Sequence, residues 1–217
     1  MSQGGPVIAV DGPAAAGKGT LARKLAEALD LPYLDTGLLY RAVARLVLDA
    51  GANPTDPAES FAHALVAEDT RRPDLRSPEV TQAASQVAAQ PAVRAALVET
   101  QRRFAAARGG VLDGRDIGTA IFPNADVKLF ITASPATRAL RRFLQTGGDS
   151  TAPDAQEKLR VMEEALVARD AADAGRDTAP LCIAADAHVI ETDTSDAQTV
   201  LAEALRITRE RLATQAG

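Results

Sequence analysis

Gly12-Pro13-Ala14-Ala15-Ala16-Gly17-Lys18-Gly19-Thr20 is the stretch whose setting decides the fold. Before it runs Pro6 to Val10, a short apolar, partly β-branched segment closed by Asp11; after it, Leu21 to Leu29 carries apolar residues at helical spacing. Strand, small-residue loop and helix, in that order, are what a phosphate-binding P-loop requires. Small side chains let successive backbone N–H groups close round a phosphate. The helix N-terminus adds partial positive charge, and Lys18 reaches the outer phosphates as a point charge. Gly19 stands where the general pattern has the Ser or Thr that ligates magnesium, and the hydroxyl arrives one residue later at Thr20. That departure argues against GTPases and ATPase motors.

Outward from this loop, strand-length and helix-length segments alternate. Leu31 to Leu34 reads as a short buried strand and Leu38 to Leu48 as a helix, followed by a connection over Gly51 to Pro57. Ser60 to Ala67 is a short helix, Glu68 to Pro78 a polar loop, and Glu79 to Ala89 and Ala92 to Ala107 are helices, with Pro91 in the first turn of the second. Gly110 to Asp113, Val127 to Thr132 and His188 to Glu191 are three further strands. They alternate with helices over Pro135 to Leu144, behind a Ser134 cap, over Asp154 to Ala171, and over Ala197 to Leu212. The pattern predicts an α/β fold, a parallel five-stranded sheet with helices on both faces.

At 217 residues the chain is long enough for one domain with insertions. With 46% hydrophobic and 24% charged residues it is globular, and with 3% aromatics it lacks the stacking platform of a single-strand nucleic-acid binder. Lys plus Arg number 24 against 29 Asp plus Glu, a net charge of -5, which argues against nucleic acid or an anionic membrane as partner. The apolar runs fall short of the about 18 residues of a membrane helix. The start MSQGGPVIAV lacks the order of a signal peptide, so a cytosolic protein is expected. Cys182, the one cysteine, excludes an internal disulfide and reads as a buried small apolar residue. His63 and His188 lack a second ligand at metal spacing and read as structural.

Gly17-Lys18-Gly19-Thr20 resembles the nucleoside monophosphate kinases. Further segments narrow the resemblance to the bacterial-type cytidylate kinases: Leu34-Asp-Thr-Gly37 with Tyr40-Arg41, Ala84-Ser-Gln-Val-Ala88, and Asp113-Gly-Arg-Asp-Ile-Gly-Thr119 with Phe122-Pro123. The matches span most of the chain. The resemblance implies a single domain over 1–217, transferring the γ-phosphate of ATP to CMP or dCMP with magnesium held by the nucleotide phosphates and water. Within it lie a monophosphate-binding insert over 51–95 and a lid over 140–176. A monomer in the cytoplasm is expected.

By position the resemblance assigns cytosine reading to Ser85, Arg94 and Asp116: a hydroxyl, a guanidinium fork and a carboxylate acceptor. Cytosine donates from N4 and accepts at N3 and O2, whereas uracil reverses the pattern and leaves polar groups unpaired. Arg41, Arg115 and Arg176 match positions that grip the acceptor phosphate, and Arg169 with Asp173 match positions near the ribose and lid; Thr36 lies in the same substrate-binding segment. Lys18, Arg115, Arg169 and Arg176 form the implied catalytic set. No general base is needed, because the acceptor is already a phosphate oxygen. Asp35 and Asp113 end strands, either as structural carboxylates or, for Asp113, as a group holding a magnesium-bound water.

The sequence departs from the family between Leu65 and Ser85, where a longer insert with a small antiparallel sheet is usual; here that insert is shortened to helices and a loop. Thr146-Gly-Gly-Asp-Ser150, flanked by Arg141, Arg142, Lys158 and Arg160, reads as the hinge of a basic cover packing nothing apolar. Two rivals stand beside the kinase reading. One is a small-molecule P-loop kinase with another acceptor, which Ser85, Arg94 and Asp116 argue against. The other is a non-catalytic nucleotide-binding relative, which the retained Lys18 and arginines argue against.

Overall fold

In the computed structural model, which describes residues 4–216, the apolar run after Pro6 becomes the middle strand of one parallel sheet. The strands are β1 (Val7–Asp11), β2 (Tyr33–Asp35), β3 (Gly110–Asp113), β4 (Val127–Thr132) and β5 (His188–Glu191), in the order β2-β3-β1-β4-β5. Val10 lies opposite Asp113 on one side and Leu129 on the other. The chain leaves β1 for one edge and returns to its other side only later. The carboxyl end of β1 is therefore the switch point of the sheet, where an open α/β sheet leaves a crevice.

Alternation along β1 sends its side chains into two cores. Ile8 and Val10 pack with Leu21 and Leu25 of α1 (Lys18–Leu29) and with Val200, Ala204 and Ile207 of α8 (Ala197–Ala216). Ala9, on the opposite face, meets Leu112 and Ala105, the latter from α5 (Pro91–Ala106). A third core joins α2 (Thr36–Asp49), α3 (Glu59–His63), α4 (Pro78–Ala88) and α5 through Val43, Val80 and Leu97. Pro78 and Pro91 stand in the first turns of α4 and α5, where a missing N–H costs nothing, and the Ser77 hydroxyl accepts from the Val80 N–H at 3.3 Å. Among the described residues the region between α2 and α5 contains no strand.

Three expectations are corrected. Residues 68–78 are not a plain loop but carry two 3₁₀ turns, Ala67–Arg71 and Pro73–Arg76. Such turns need only local bonds, here Val66 N–H to Asp69 and the Thr70 hydroxyl to the Ala67 carbonyl, so apolar periodicity cannot reveal them. Leu75 anchors the second, buried, while Arg72 bridges Asp74 (3.1 Å) and Asp49 of α2 (2.5 Å). Cys182 is exposed, because the segment between the last helix before β5 and β5 itself is irregular and runs over the surface.

The third correction concerns α6 (Pro135–Gln145) and α7 (Ala155–Ala174). Their connecting loop does pack on an apolar group: a Cβ added to Gly148 would lie 2.6 Å from the Phe143 ring. The basic flanks are engaged within the protein. Lys158 pairs with Asp154 (2.7 Å), Arg160 with Glu157 (2.6 Å) and Glu164 (2.5 Å), Arg142 with Gln145, and Arg141 with Thr192. His188 accepts from Arg211 at 3.2 Å and His63 ends α3 exposed; neither joins a metal cluster among the described residues. No helix described is long and apolar enough to cross a membrane.

Gly12 is the tightest point of the architecture. Its φ is +143°, and a Cβ there would stand 2.0 Å from the carbonyl oxygen of Ile131 on β4. Gly12→Ala is expected to destabilise the protein by several kcal/mol, beyond the about 1–3 kcal/mol of ordinary overpacking, since the obstacle is backbone. Urea unfolding checks this; a midpoint within error of the parent contradicts it.

Candidate active site

The loop after β1 turns on residues in the left-handed region: Ala15 at φ +60° and Gly17 at φ +94°, the latter capping α1. Lys18 opens α1 almost wholly buried. Its ammonium donates to the Pro13 carbonyl (3.0 Å) and lies 3.8 Å from Asp113 Oδ1. Burial, reinforced by the charge of Arg115 and opposed by Asp113, lowers its pKa to about 8. A Cβ on Gly19 would stand 2.9 Å from Asp113 Oδ2. The absent hydroxyl after the lysine thus has a physical reason: a carboxylate from β3 fills that space, with the Tyr33 hydroxyl 3.5 Å from it. Burial raises the pKa of Asp113.

Asp11 ends β1 and faces the other way. Its two carboxylate oxygens accept the N–H groups of Ile117 (2.9 Å) and Gly118 (2.7 Å). These belong to a single π-helical turn, Ile117–Ile121, that sequence periodicity did not reveal; such turns recur at functional sites. Burial raises Asp11 to about 6, so it is ionised at neutral pH. Thr36, buried at the start of α2, donates its hydroxyl to the Asp113 carbonyl (2.8 Å) and so fixes the end of β3.

Asp113-Gly-Arg-Asp116 leads from β3 to that turn and aims two charges in different directions. Arg115 reaches Asp173 of α7 (3.1 Å), and Arg176 holds the same carboxylate. Arg41 donates to the Leu75 carbonyl (2.9 Å) and the Thr81 hydroxyl (2.7 Å). Burial lowers Arg41 to about 10, with the charges of Arg169, Arg76 and Arg142 acting in the same sense. Arg169 is lowered likewise, by burial and then by Arg115, and its Nε is buried without a partner. Arg41, Arg115, Arg169 and Arg176 thus converge with more positive charge than Asp173 offsets. A protein of net charge -5 thus carries a local concentration of positive charge.

The other charge, Asp116, is buried and ion-paired with Arg94 of α5, itself buried. The guanidinium carbon of Arg94 lies 5.6 Å from the centroid of the Tyr40 ring, a cation–π contact. The Ser85 hydroxyl donates to the Thr81 carbonyl (3.4 Å), one turn back along α4. Tyr40 was quoted in the sequence only for its motif, without a role. Its placement under Arg94 has no sequence signal, because the two lie 54 positions apart (94 − 40).

A cleft of about 280 Å³ opens beside Gly17 and Thr20, between α1, Arg141 and Thr192. Arg141 donates to the Thr192 hydroxyl (2.9 Å) and carbonyl, while Thr192 donates to the Ala16 carbonyl (3.2 Å). Sequence reasoning placed Arg141 on a cover and missed this wall, which is assembled from α6 and the chain after β5.

A family model described as cytidylate kinase matches residues 8–210. The chain is 55% identical over 207 residues to the cytidylate kinase of Granulibacter bethesdensis, covering 94% of this chain and 97% of that one. It is 54% identical over 209 residues to that of Acidiphilium cryptum, covering 95% and 97%. A gluconokinase structure from Sinorhizobium meliloti shares the fold, with a TM-score of 0.51 at 18% identity, covering 100% of this chain and 99% of that one.

The Lys18 ammonium is expected to titrate near pH 8 in the nucleotide-free protein, and Asp113→Asn should lower that midpoint further by removing the anion that supports its charge. Carbon-13 NMR of labelled lysine reads both; a Lys18 midpoint above 10 contradicts the buried placement.

Proposed function

The chain belongs to the cytidylate kinase family, and from that premise we propose that it transfers the γ-phosphate of ATP to CMP or dCMP, giving ADP and CDP or dCDP. The single observation that carries the acceptor assignment is the excess of half-buried guanidinium charge formed by Arg41, Arg115, Arg169 and Arg176 round the buried carboxylate of Asp173. A phosphate monoester answers that excess, and arginine forks suit it. An oxygen of the acceptor phosphate attacks the γ-phosphorus, and the bond from that phosphorus to the β-bridging oxygen breaks. No side chain has to remove a proton. Loop N–H groups from Gly12 to Thr20 hold the donor phosphates, Lys18 neutralises charge on the outer ones, and the arginines orient the acceptor and stabilise the spread charge.

Magnesium, when bound with the nucleotide, supplies further neutralisation of the phosphates. The residues fit an ion carried in by phosphates and water: the space beside Gly19 is filled by the single carboxylate of Asp113, and no group of three or more acidic, His or Cys side chains occurs among the described residues. Asp113 would face a water of that ion.

For the base, Asp116 accepts from cytosine N4 while Arg94 donates to its ring acceptors, with Ser85 beside them and Asp173 toward the ribose. Cytosine must enter the Arg94–Asp116 pair, and uracil, with O4 where N4 would be, opposes an acceptor to an acceptor. Residues 51–95 form the monophosphate side, and 140–176 close as the lid. The protein works as a monomer in the cytoplasm, on small molecules and not on nucleic acid or membrane.

A panel of nucleoside monophosphates with ATP in a coupled ADP-release assay tests the assignment. CMP and dCMP should exceed UMP and AMP in kcat/KM, and Asp116→Asn, whose amide can donate to O4, should narrow the CMP-to-UMP ratio mainly by loss on CMP. A ratio unchanged in the folded variant removes Asp116 from the base site. Lys18→Ala should lose about 10²-fold or more in kcat, with the melting temperature preserved or raised because a buried charge is gone. Retention of half the activity would show that Lys18 does not contact the transferred group.

A further inference from the structure

Arg138 of α6 is almost completely buried yet absent from the donor and acceptor sites described above. Its Nε donates to the Ala133 carbonyl (3.0 Å). Its Nη1 donates to the Ala14 carbonyl in the phosphate loop (3.2 Å) and pairs with Asp170 of α7 (2.5 Å). A buried guanidinium is retained only where each contact is made, and here the contacts come from three different elements.

Around it the loop is seated on the α6–α7 pair. Ala14, Ala139 and Leu166 form a buried apolar cluster, with Ala15 and Met162 against it. Ala15, which follows the carbonyl that Arg138 holds, has φ +60°, a conformation costly for a residue with a Cβ. The loop crown is therefore held in shape by α6 and α7, and its geometry is felt by them.

The far end of the same helix belongs to the acceptor site. Arg169 precedes Asp170, and Asp173, one turn on, holds Arg115 and Arg176. Arg169 Nε and Asp170 Oδ1 are both buried without a hydrogen-bond partner. Adjacent buried polar atoms of opposite character without partners leave this turn hydrogen bonds to gain by rearranging.

We propose that Arg138 and Asp170 are positioning residues that couple the two substrates: phosphate entering the loop shifts the Ala14 carbonyl, Arg138 follows, and Asp170 carries the Arg169–Asp173 turn into its acceptor-binding arrangement. The inference rests on the donor and acceptor assignments above. Coupling of this kind is reciprocal, so acceptor binding tightens the donor by the same factor.

Calorimetry of CMP binding, with and without saturating magnesium and adenosine 5′-(β,γ-imido)triphosphate, tests it in the whole protein. In the parent the analogue should tighten CMP by at least about 5-fold. Arg138→Lys, which keeps the charge but loses the fork, and Asp170→Asn should bring that factor to within about 2-fold of unity, while binding of CMP alone changes less than the factor does. A merely structural pair would weaken both measurements equally, or lower only the melting temperature. Variants that fold and keep the parental factor overturn the proposal, as does a parent with no coupling. If another monophosphate binds in place of CMP, the base assignment fails, and the coupling is read with that nucleotide. Should both variants unfold, hydrogen exchange of the parent decides: the analogue alone must slow the amides of residues 169–173, and unchanged exchange there overturns the coupling.

Discussion

The carboxylate of Asp11 is the joint on which the arrangement turns. It ends the central strand, lies buried, and accepts two consecutive backbone N–H groups, from Ile117 and Gly118. Those bonds favour its charged form against the burial that raises its pKa to about 6. The consequence is geometric. The phosphate loop leaves β1 directly after Asp11, while the π-helical turn begins directly after Asp116, so one side chain fixes the loop backbone and the backbone beside Asp116 to each other. Neighbouring Asp113 does the corresponding task on the other side, between β3 and the first turn of α1.

Charge in this protein is organised by depth. The surface carries ion pairs within single helices, such as Lys158 with Asp154 and Arg206 with Glu210, which contribute little and are screened. The buried cations are each met differently. Lys18 has carbonyl and carboxylate contacts that leave its pKa depressed, Arg94 has one close carboxylate and an aromatic face, and Arg138 meets two carbonyls and the Asp170 carboxylate. The half-buried group of Arg41, Arg115, Arg169 and Arg176 carries more positive charge than Asp173 offsets. The desolvation that depresses Arg41 and Arg169 strengthens their attraction for an anion.

The segment between α2 and α4 is held in place by side chains rather than by a sheet. No strand forms there among the described residues. Instead Leu75 is buried against the helices, Arg72 ties the second 3₁₀ turn to α2, and the Leu75 carbonyl takes a hydrogen bond from Arg41. The same turn thus orients the Arg41 guanidinium.

Much of the fold was legible in the chain alone, since β3, β4 and β5 begin and end where their apolar runs do, and Pro78, Pro91 and Ser134 set helix starts through purely local chemistry. The phosphate loop was legible for the same reason: its function lies in consecutive residues, with Gly12 and Gly17 required by their own backbone angles. What the sequence could not supply were relations between distant residues and features without periodicity. The 3₁₀ turns and the π-helical turn depend on local hydrogen bonds and on Asp11, more than 100 positions away from its partners. The exposure of Cys182, the placement of Tyr40 under Arg94, the pairing of Arg141 with Thr192 and the reach of Arg138 from loop to α7 follow from how helices pack on the sheet. Residue types and spacing determined that phosphate would be bound at the end of β1. Only the tertiary structure decided which buried charges are already paired and which await a partner, because pairing is set by distance in space and by exclusion of water, and neither is written along the chain.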